Sequence, residues 1–219
     1  MIDAKPLVVV FAGPNGSGKS TVTKWAQISG VYINADDIKK SEEISDLSAA
    51  QKAEELRERC VCDKKDFTFE TVLSTPRNIN LLRRAKDEGF FIKSVFVLTN
   101  NPKINILRVE NRVEKGGHGV PRDKIKSRYY RSLKMLPLLV ELSDICHVYD
   151  NSENNRCFFR IFKKKNGQYF CWENSFWKKE KISSLTGISA DLLQQPPVSK
   201  HELEIASIIK YSGGMQQYS

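Results

Sequence analysis

The segment that most constrains the fold of this chain is the stretch from Leu7 to Thr21, LVVVFAGPNGSGKST. Between Gly13 and Ser20 it contains the pattern G-x-x-x-x-G-K-S, which is typical of a loop that binds nucleotide phosphates. The apolar run before the loop predicts a strand buried on both faces of a parallel sheet, and the spacing after it predicts a helix. A strand, a glycine-rich loop and a helix in this order favour a phosphate-binding loop over a chance match.

Each residue type in the loop suits this role. Glycine permits backbone angles that point successive N–H groups at one anion, and the positive end of the next helix dipole adds to the attraction. Lys19 is expected to reach the β- and γ-phosphates, and the Ser20 hydroxyl is expected to bind Mg²⁺. The predicted nucleotide-binding residues are Gly13, Pro14, Asn15, Gly16, Ser17, Gly18, Lys19, Ser20 and Thr21.

The composition is that of a globular protein. The 219 residues, 40% hydrophobic and 28% charged, are enough for one core. The apolar runs are too short to span a membrane and the amino terminus lacks a signal-peptide pattern, so we expect a cytoplasmic protein. Five cysteines without zinc-ligand spacing indicate reduced thiols.

Two acidic residues come shortly after the second predicted strand, at 31–33. Asp36 and Asp37 are expected at the carboxyl edge of the sheet, where open α/β sheets bind their ligands. A carboxylate there can accept the proton of an attacking hydroxyl or hold Mg²⁺ through water. The same pair can instead cap the next helix, and the sequence alone leaves both interpretations open.

The residues directly after the strand predicted for 90–98 help to distinguish classes of ATP-using enzyme. Motor-type ATPases end this strand in an acidic residue that holds Mg²⁺, whereas this chain continues with Thr99 and two asparagines. The difference favours a small-molecule kinase over a motor, with Asp36 or Asp37 providing the carboxylate.

A basic segment from Pro102 to Met135 carries ten Lys or Arg residues against three Asp or Glu. It predicts two helices around a glycine-rich turn at 116–121, a lid that brings arginines over the triphosphate. Such an arginine can raise the rate by about 10³ to 10⁵ in related chemistry. His118 in the turn is expected to be structural or to contact phosphate rather than to bind a metal.

A solvated face or a nucleic-acid surface are the alternatives for this basic segment. In the second case the protein would be a nucleic-acid-associated NTP-binding protein or a polynucleotide kinase. Few aromatic residues are interleaved with the charges, which makes nucleic acid the less favoured hypothesis. Binding to a polynucleotide would also depend steeply on salt.

The carboxyl-terminal part predicts a last core strand at 145–149 with a polar exit at 150–152. Two alternating segments then flank Asn166 and Gly167, which is typical of a β-hairpin. A modest amphipathic stretch at 201–209 predicts a peripheral helix before a loose tail.

Together these motifs resemble the zeta-toxin family of P-loop kinases. The matching segments are AGPNGSGKST at 12–21, NADDI at 34–38, FTFETVLS at 67–74, RVEKGGHGVPRDKIKSRYYRSL at 112–133 and YDNS at 149–152. The expected fold class is therefore α/β, a three-layer P-loop NTPase fold with a parallel sheet flanked by helices, a small C-terminal β-hairpin and a peripheral helix. The expected organisation is a kinase domain over 1–181, with its lid at about 102–135, followed by a peripheral helix and tail over 182–219.

The resemblance also implies an activity and a site. The expected reaction uses ATP and Mg²⁺ and transfers the γ-phosphoryl group to a hydroxyl of a small molecule, such as the nucleotide sugar UDP-N-acetylglucosamine. The family further implies a small antitoxin protein as a partner. The implied site residues are the base Asp36, the substrate-facing Glu70 and Thr71, and Arg112 and Arg128, which together with Lys19 act on the ATP phosphates, with Arg131 as the alternative to Arg128.

Overall fold

A central sheet of eight strands organises this computed structural model, in which residues 5–117, 119–153 and 158–196 are described. The spatial order of the strands is β2-β3-β1-β4-β5-β6-β7-β8. Their bounds are β1 (Leu7–Ala12), β2 (Val31–Ile33), β3 (Phe67–Thr71), β4 (Phe91–Leu98), β5 (Ile145–Asp150), β6 (Phe159–Lys165), β7 (Gln168–Cys171) and β8 (Leu193–Gln194).

The first five strands are parallel, so their carboxyl ends meet at one edge of the sheet. β1 lies in the middle, between β3 and β4. In α/β sheets this edge is where ligands bind, and the loop after β1 opens onto it.

The predicted hairpin is present and extends the same sheet. β6 pairs antiparallel with β5, and β7 pairs antiparallel with β6. The two turn residues, Asn166 and Gly167, have φ angles of 52° and 73°, and positive values at both positions match a type I′ turn.

Helices cover both faces of the sheet and complete three layers. Their bounds are α1 (Lys19–Trp25), α2 (Ala35–Glu42), α3 (Asp46–Cys62), α4 (Arg77–Asp87), α5 (Pro102–Glu114), α6 (Arg122–Leu142) and α7 (Lys179–Thr186). On one face, Ala53, Leu82 and Leu136 from three helices are buried in the main core, whereas Val22 of α1 packs into a smaller cluster on the other face. The predicted three-layer fold class is confirmed.

Helix α7 is an element that the sequence pattern did not reveal. Its sequence, KEKISSLT, is polar, but Ile182 and Thr186 are buried, and Ile182 belongs to the main core. The boundary expected between residues 181 and 182 therefore falls inside this helix. The helix predicted for 201–209 lies outside the described residues, as do His118 and Cys157.

The four cysteines in the described ranges, Cys60, Cys62, Cys146 and Cys171, are free thiols. No helix among the described residues combines the length and the apolar composition that crossing a membrane requires.

Two buried hydroxyl groups fasten α6 to the carboxyl edge of the sheet. The hydroxyl of Tyr129 donates to the carbonyl of Thr99, just after β4, at 2.6 Å. Ser132 Oγ donates to the carbonyl of Val72, just after β3, at 2.7 Å. These bonds set the position of the basic helix relative to the loop after β1.

The contribution of the Tyr129 hydrogen bond to stability can be tested with the neighbouring Tyr130 as a control. Tyr129→Phe should lower the free energy of unfolding by about 1 to 2 kcal/mol, because it removes the donor to a buried carbonyl. The neighbouring Tyr130 is 48% exposed, so Tyr130→Phe should change stability by less than about 0.5 kcal/mol. Urea denaturation measures both values, and equal losses for the two variants would contradict the anchoring role.

Candidate active site

The loop between β1 and α1 packs so closely on its neighbours that two of its glycines have no substitute. A Cβ at Gly13 would lie 2.0 Å from the carbonyl oxygen of Val97, and a Cβ at Gly16 would lie 2.5 Å from that of Asn105. Both glycines also have positive φ angles, 139° and 75°, which favour glycine. The loop is therefore held in one shape by contact with β4 and α5.

Side-chain amides brace the same loop from outside. Asn105 Nδ2 donates to the carbonyl of Asn15 at 2.6 Å, and Asn151 Nδ2 donates to that of Ser17 at 2.8 Å. Arg108 Nη1 in turn donates to the carbonyl of Asn151 at 2.7 Å. The polar exit of β5 thus serves to support the phosphate loop.

Lys19 lies where the charges of the site converge. Its Nζ donates to the carbonyl of Pro14 at 3.0 Å. Burial lowers the pKa of Lys19 to about 8, and the positive charge of Arg112 adds to this effect, while the carboxylates of Glu70 and Asp36 oppose it. The pKa of this one ammonium therefore depends on charged groups from three separate parts of the chain.

Hydrogen bonds hold the carboxylate of Glu70 at the end of β3. Ser20 Oγ donates to its Oε2 at 3.0 Å, and the hydroxyl of Tyr32 donates to its Oε1 at 2.9 Å. Asn34 Nδ2 donates to the Tyr32 hydroxyl at 3.1 Å. Desolvation raises the pKa of Tyr32, so the phenol remains a donor. The chain of bonds orients Glu70 against the hydroxyl of the phosphate loop.

Asp36 lies in the first turn of α2, and the cap of this helix is another residue. Asn34 Oδ1 accepts from the backbone N–H of Asp36 at 3.0 Å. Both aspartates are exposed, but Asp36 lines the cavity beside Lys19 and Asp37 is not among the lining residues. Because Asn34 caps the helix, the carboxylate of Asp36 is not needed for that role.

Thr71 also lines the cavity, and its hydroxyl oxygen is used locally. It accepts from the backbone N–H of Leu73 at 2.9 Å and from Asn78 Nδ2 at 2.8 Å. The hydroxyl hydrogen remains available as a donor, because a hydroxyl both accepts and donates.

These groups enclose a cavity of about 570 Å³. The expected site residues that line it are Asn15, Gly16, Gly18, Lys19, Ser20, Thr21, Asp36, Glu70, Thr71 and Arg112. Gly13, Pro14 and Ser17 are buried within the loop. Arg128 and Arg131 lie on α6 and are not among the lining residues.

Residues 2–161, well over half of the chain, match the family model described as Zeta toxin. The chain belongs to the zeta toxin family. The family inferred from the sequence motifs is therefore confirmed, and because it is a family of P-loop kinases, so is the predicted class of enzyme, an ATP-dependent kinase.

One sequence relative is an uncharacterized protein of Haemophilus influenzae. It is 31% identical over 127 residues, which are 55% of this chain and 91% of that protein.

Two solved structures with the same fold are a chain of the AvrRxo1-ORF1:AvrRxo1-ORF2 complex with ATP and a chain of the PezAT toxin-antitoxin system of Streptococcus pneumoniae. The first is 12% identical with a TM-score of 0.63 and aligns 90% of this chain with 67% of its own. The second is 14% identical with a TM-score of 0.51 and aligns 87% of this chain with 88% of its own. At this identity the likeness shows the fold.

Three polar residues that line the cavity lie outside the sequence motifs that predicted the site. Arg108 lies one helical turn before Arg112 on α5, and that spacing of four was the signal that could have found it. Asn78 and Arg57 gave no such signal, because their helices have the charge pattern of exposed helices. All three line the cavity.

The lowered pKa of Lys19 predicts how nucleotide binding changes with pH. The ammonium is charged below a pKa of about 8 and loses its proton above it. Nucleotide phosphates, with a second pKa of about 6, are already fully charged there. The affinity for ADP should therefore fall as pH rises from about 7 to about 9.5, and Lys19→Met should abolish this dependence.

Isothermal titration calorimetry with ADP at several pH values measures this effect. The Lys19→Met variant is the control, because it keeps the length of the side chain and removes the titrating group. A wild-type affinity that is constant over this range would contradict the role assigned to Lys19.

Proposed function

We propose that this kinase transfers the γ-phosphoryl group of ATP to a hydroxyl of a small molecule, with a nucleotide sugar such as UDP-N-acetylglucosamine as the acceptor. The observation that carries the proposal is the convergence of Lys19, Asp36, Glu70 and Arg112 on one cavity beside a braced phosphate loop. Phosphoryl transfer needs cations that bind the phosphates. It also needs carboxylates that accept the proton of the hydroxyl and bind the metal ion.

The ATP phosphates occupy the loop side of the cavity in this proposal. Backbone N–H groups of the loop and the ammonium of Lys19 bind the β- and γ-phosphates. Arg112 lines the cavity and meets the γ-phosphate directly. Arg128 of α6, or Arg131 in its place, is the second arginine that contacts the phosphates in this proposal.

Ser20 and Glu70 fit the binding of Mg²⁺. Their oxygens lie 3.0 Å apart, and Mg²⁺ usually takes one or two protein oxygens together with substrate phosphates and water. Among the described residues, no group of three His, Cys, Asp or Glu side chains could hold a metal alone, so the ion would depend on the nucleotide. When bound, it neutralises charge on the phosphate oxygens.

Asp36 acts as the base. Its carboxylate accepts the proton of the acceptor hydroxyl as that oxygen bonds to the γ-phosphorus, and the bond to the β-phosphate oxygen breaks to release ADP. Lys19 and Arg112 offset the negative charge that spreads over the transferred group. Glu70 and Thr71 contact the acceptor from the end of β3, in addition to the bond of Glu70 with Ser20.

A small antitoxin protein is the proposed partner. Support comes from membership of the zeta toxin family and from the structural likeness to a chain of the PezAT toxin-antitoxin system. In this proposal the antitoxin covers the ATP side of the cavity and prevents transfer.

The proposal is tested by incubating the protein with Mg²⁺, ATP and a panel of nucleotide sugars, sugars, nucleosides and short oligonucleotides, and by reading the products by mass. We expect a nucleotide sugar to gain one phosphoryl group. Transfer to the ends of oligonucleotides alone would favour a polynucleotide kinase instead. ATP binding without transfer to any acceptor would remove the main support of the proposal.

The base is tested by Asp36→Asn with Asp37→Asn as its matched control. Asp36→Asn should lower kcat by about 10² to 10⁴ while the KM for ATP changes little, because it removes a proton acceptor and no phosphate contact. Asp37 is exposed outside the cavity, so its variant should retain activity within about twofold. Near-normal transfer by Asp36→Asn would contradict the assignment.

A further inference from the structure

Helix α3 directs one cation into the cavity, far along the chain from the phosphate loop. Ala50, Ala53 and Arg57 line the cavity from this helix. Their spacing of three and four residues places them on one face. Because the two alanines have small side chains, Arg57 is the charged residue that α3 contributes to the lining of the cavity.

The guanidinium of Arg57 packs on an aromatic ring, and one of its N–H donors, Nε, is unsatisfied among the described residues. Its centre lies 5.2 Å from the centroid of the Phe69 ring, over the ring face. Within the described part of the chain, its buried Nε has no hydrogen-bond partner. Burial also lowers the pKa of Arg57, yet a guanidinium keeps its charge in proteins. A buried charged donor without a partner is costly unless something binds it.

The acidic neighbours of Arg57 on α3 are engaged elsewhere. Glu54 lies 3.4 Å from the guanidinium of Arg77, and Glu58 forms an ion pair with Arg84. Both partners belong to α4. These two carboxylates influence Arg57 at longer range, while their close contacts tie α3 to α4.

The phosphates of ATP also have their own cations. Lys19, Arg108 and Arg112 line the cavity from the phosphate loop and from α5, whereas Arg57 lines it from α3. Val72 and Asn78 line the cavity from the segment that follows β3. Phe69, whose ring lies under the guanidinium of Arg57, belongs to β3 itself. Arg57 therefore belongs to the part of the cavity left for the acceptor.

We infer that Arg57 binds a phosphate group carried by the acceptor. The inference rests on the proposed function, because it assumes that an acceptor enters this cavity. A planar guanidinium fork suits the paired oxygens of a phosphate, and the alanine face gives the group access. The acceptor class is thereby narrowed to phosphate-bearing compounds, either nucleotide sugars with a diphosphate or simpler sugar phosphates.

The test measures binding without turnover. The full chain is saturated with Mg²⁺ and a non-hydrolysable ATP analogue, so that the phosphate loop is filled. UDP-N-acetylglucosamine, N-acetylglucosamine 1-phosphate and neutral N-acetylglucosamine are then titrated by calorimetry. The first two compounds separate a diphosphate from a monophosphate, and the third lacks the group in question.

Arg57→Gln should weaken binding of a phosphate-bearing compound by about 10- to 100-fold, the loss expected for a charge-assisted hydrogen bond. Weak binding of the neutral sugar should be unchanged. The matched control is Arg59→Gln, since Arg59 is exposed on the same helix and its loss should change affinity by less than about twofold. Urea denaturation checks that each variant is folded.

An unchanged affinity of Arg57→Gln for both phosphate compounds would overturn the inference, and so would the absence of phosphate-dependent binding in the wild type. If Arg57→Gln does not fold, Arg57→Lys takes its place. It keeps the charge but loses the fork, and should weaken phosphate binding while leaving the neutral sugar unaffected.

The outcomes also separate this inference from the proposed function. Phosphate-dependent binding that requires Arg57, together with no transfer to any hydroxyl, would contradict the proposed reaction and leave the subsite standing. Efficient phosphoryl transfer that Arg57→Gln does not change would support the proposed reaction and contradict the phosphate-binding role of Arg57.

Discussion

The partly buried ammonium of Lys19 is the group on which the site depends. A cation enclosed by protein is costly, and the carboxylates of Glu70 and Asp36 offset part of that cost. Glu70 lies at the end of β3 and Asp36 lies in the first turn of α2, after β2, so the sheet must form before the charges can meet. A bound phosphate would offset the rest of the cost of burying the ammonium. The site can therefore fold without the nucleotide and still attract its phosphates.

The parallel sheet makes this convergence possible. Because β1, β2 and β3 run in the same direction, the phosphate loop, the first turn of α2 and Glu70 emerge at one edge. Local hydrogen bonds then set each side chain: Asn34 caps α2, and Tyr32 with Ser20 holds Glu70. The zeta toxin fold thus places the phosphate loop, Glu70 and Asp36, the proposed base, at the ends of neighbouring strands.

The sequence was most informative where function depends on short local patterns. The phosphate loop, the acidic residues after β2 and the hairpin turn at 166–167 are each contiguous, so their chemistry can be recognised without knowing the fold. Arg57 was missed because its role depends on how α3 packs against Phe69, which its own neighbours in sequence do not determine. Helix α7 was missed for a similar reason, since a few buried contacts, among them Ile182, place an otherwise polar segment on the core.

In the proposed reaction the site transfers the γ-phosphoryl group to a hydroxyl and not to water. The most direct measurement is a reaction with ATP, Mg²⁺ and UDP-N-acetylglucosamine in heavy-oxygen water, with the products read by mass. The proposed reaction predicts a phosphorylated acceptor whose oxygens are all of the ordinary isotope, with little inorganic phosphate. ATP consumption that yields only inorganic phosphate labelled with heavy oxygen, and no phosphorylated acceptor, would contradict it.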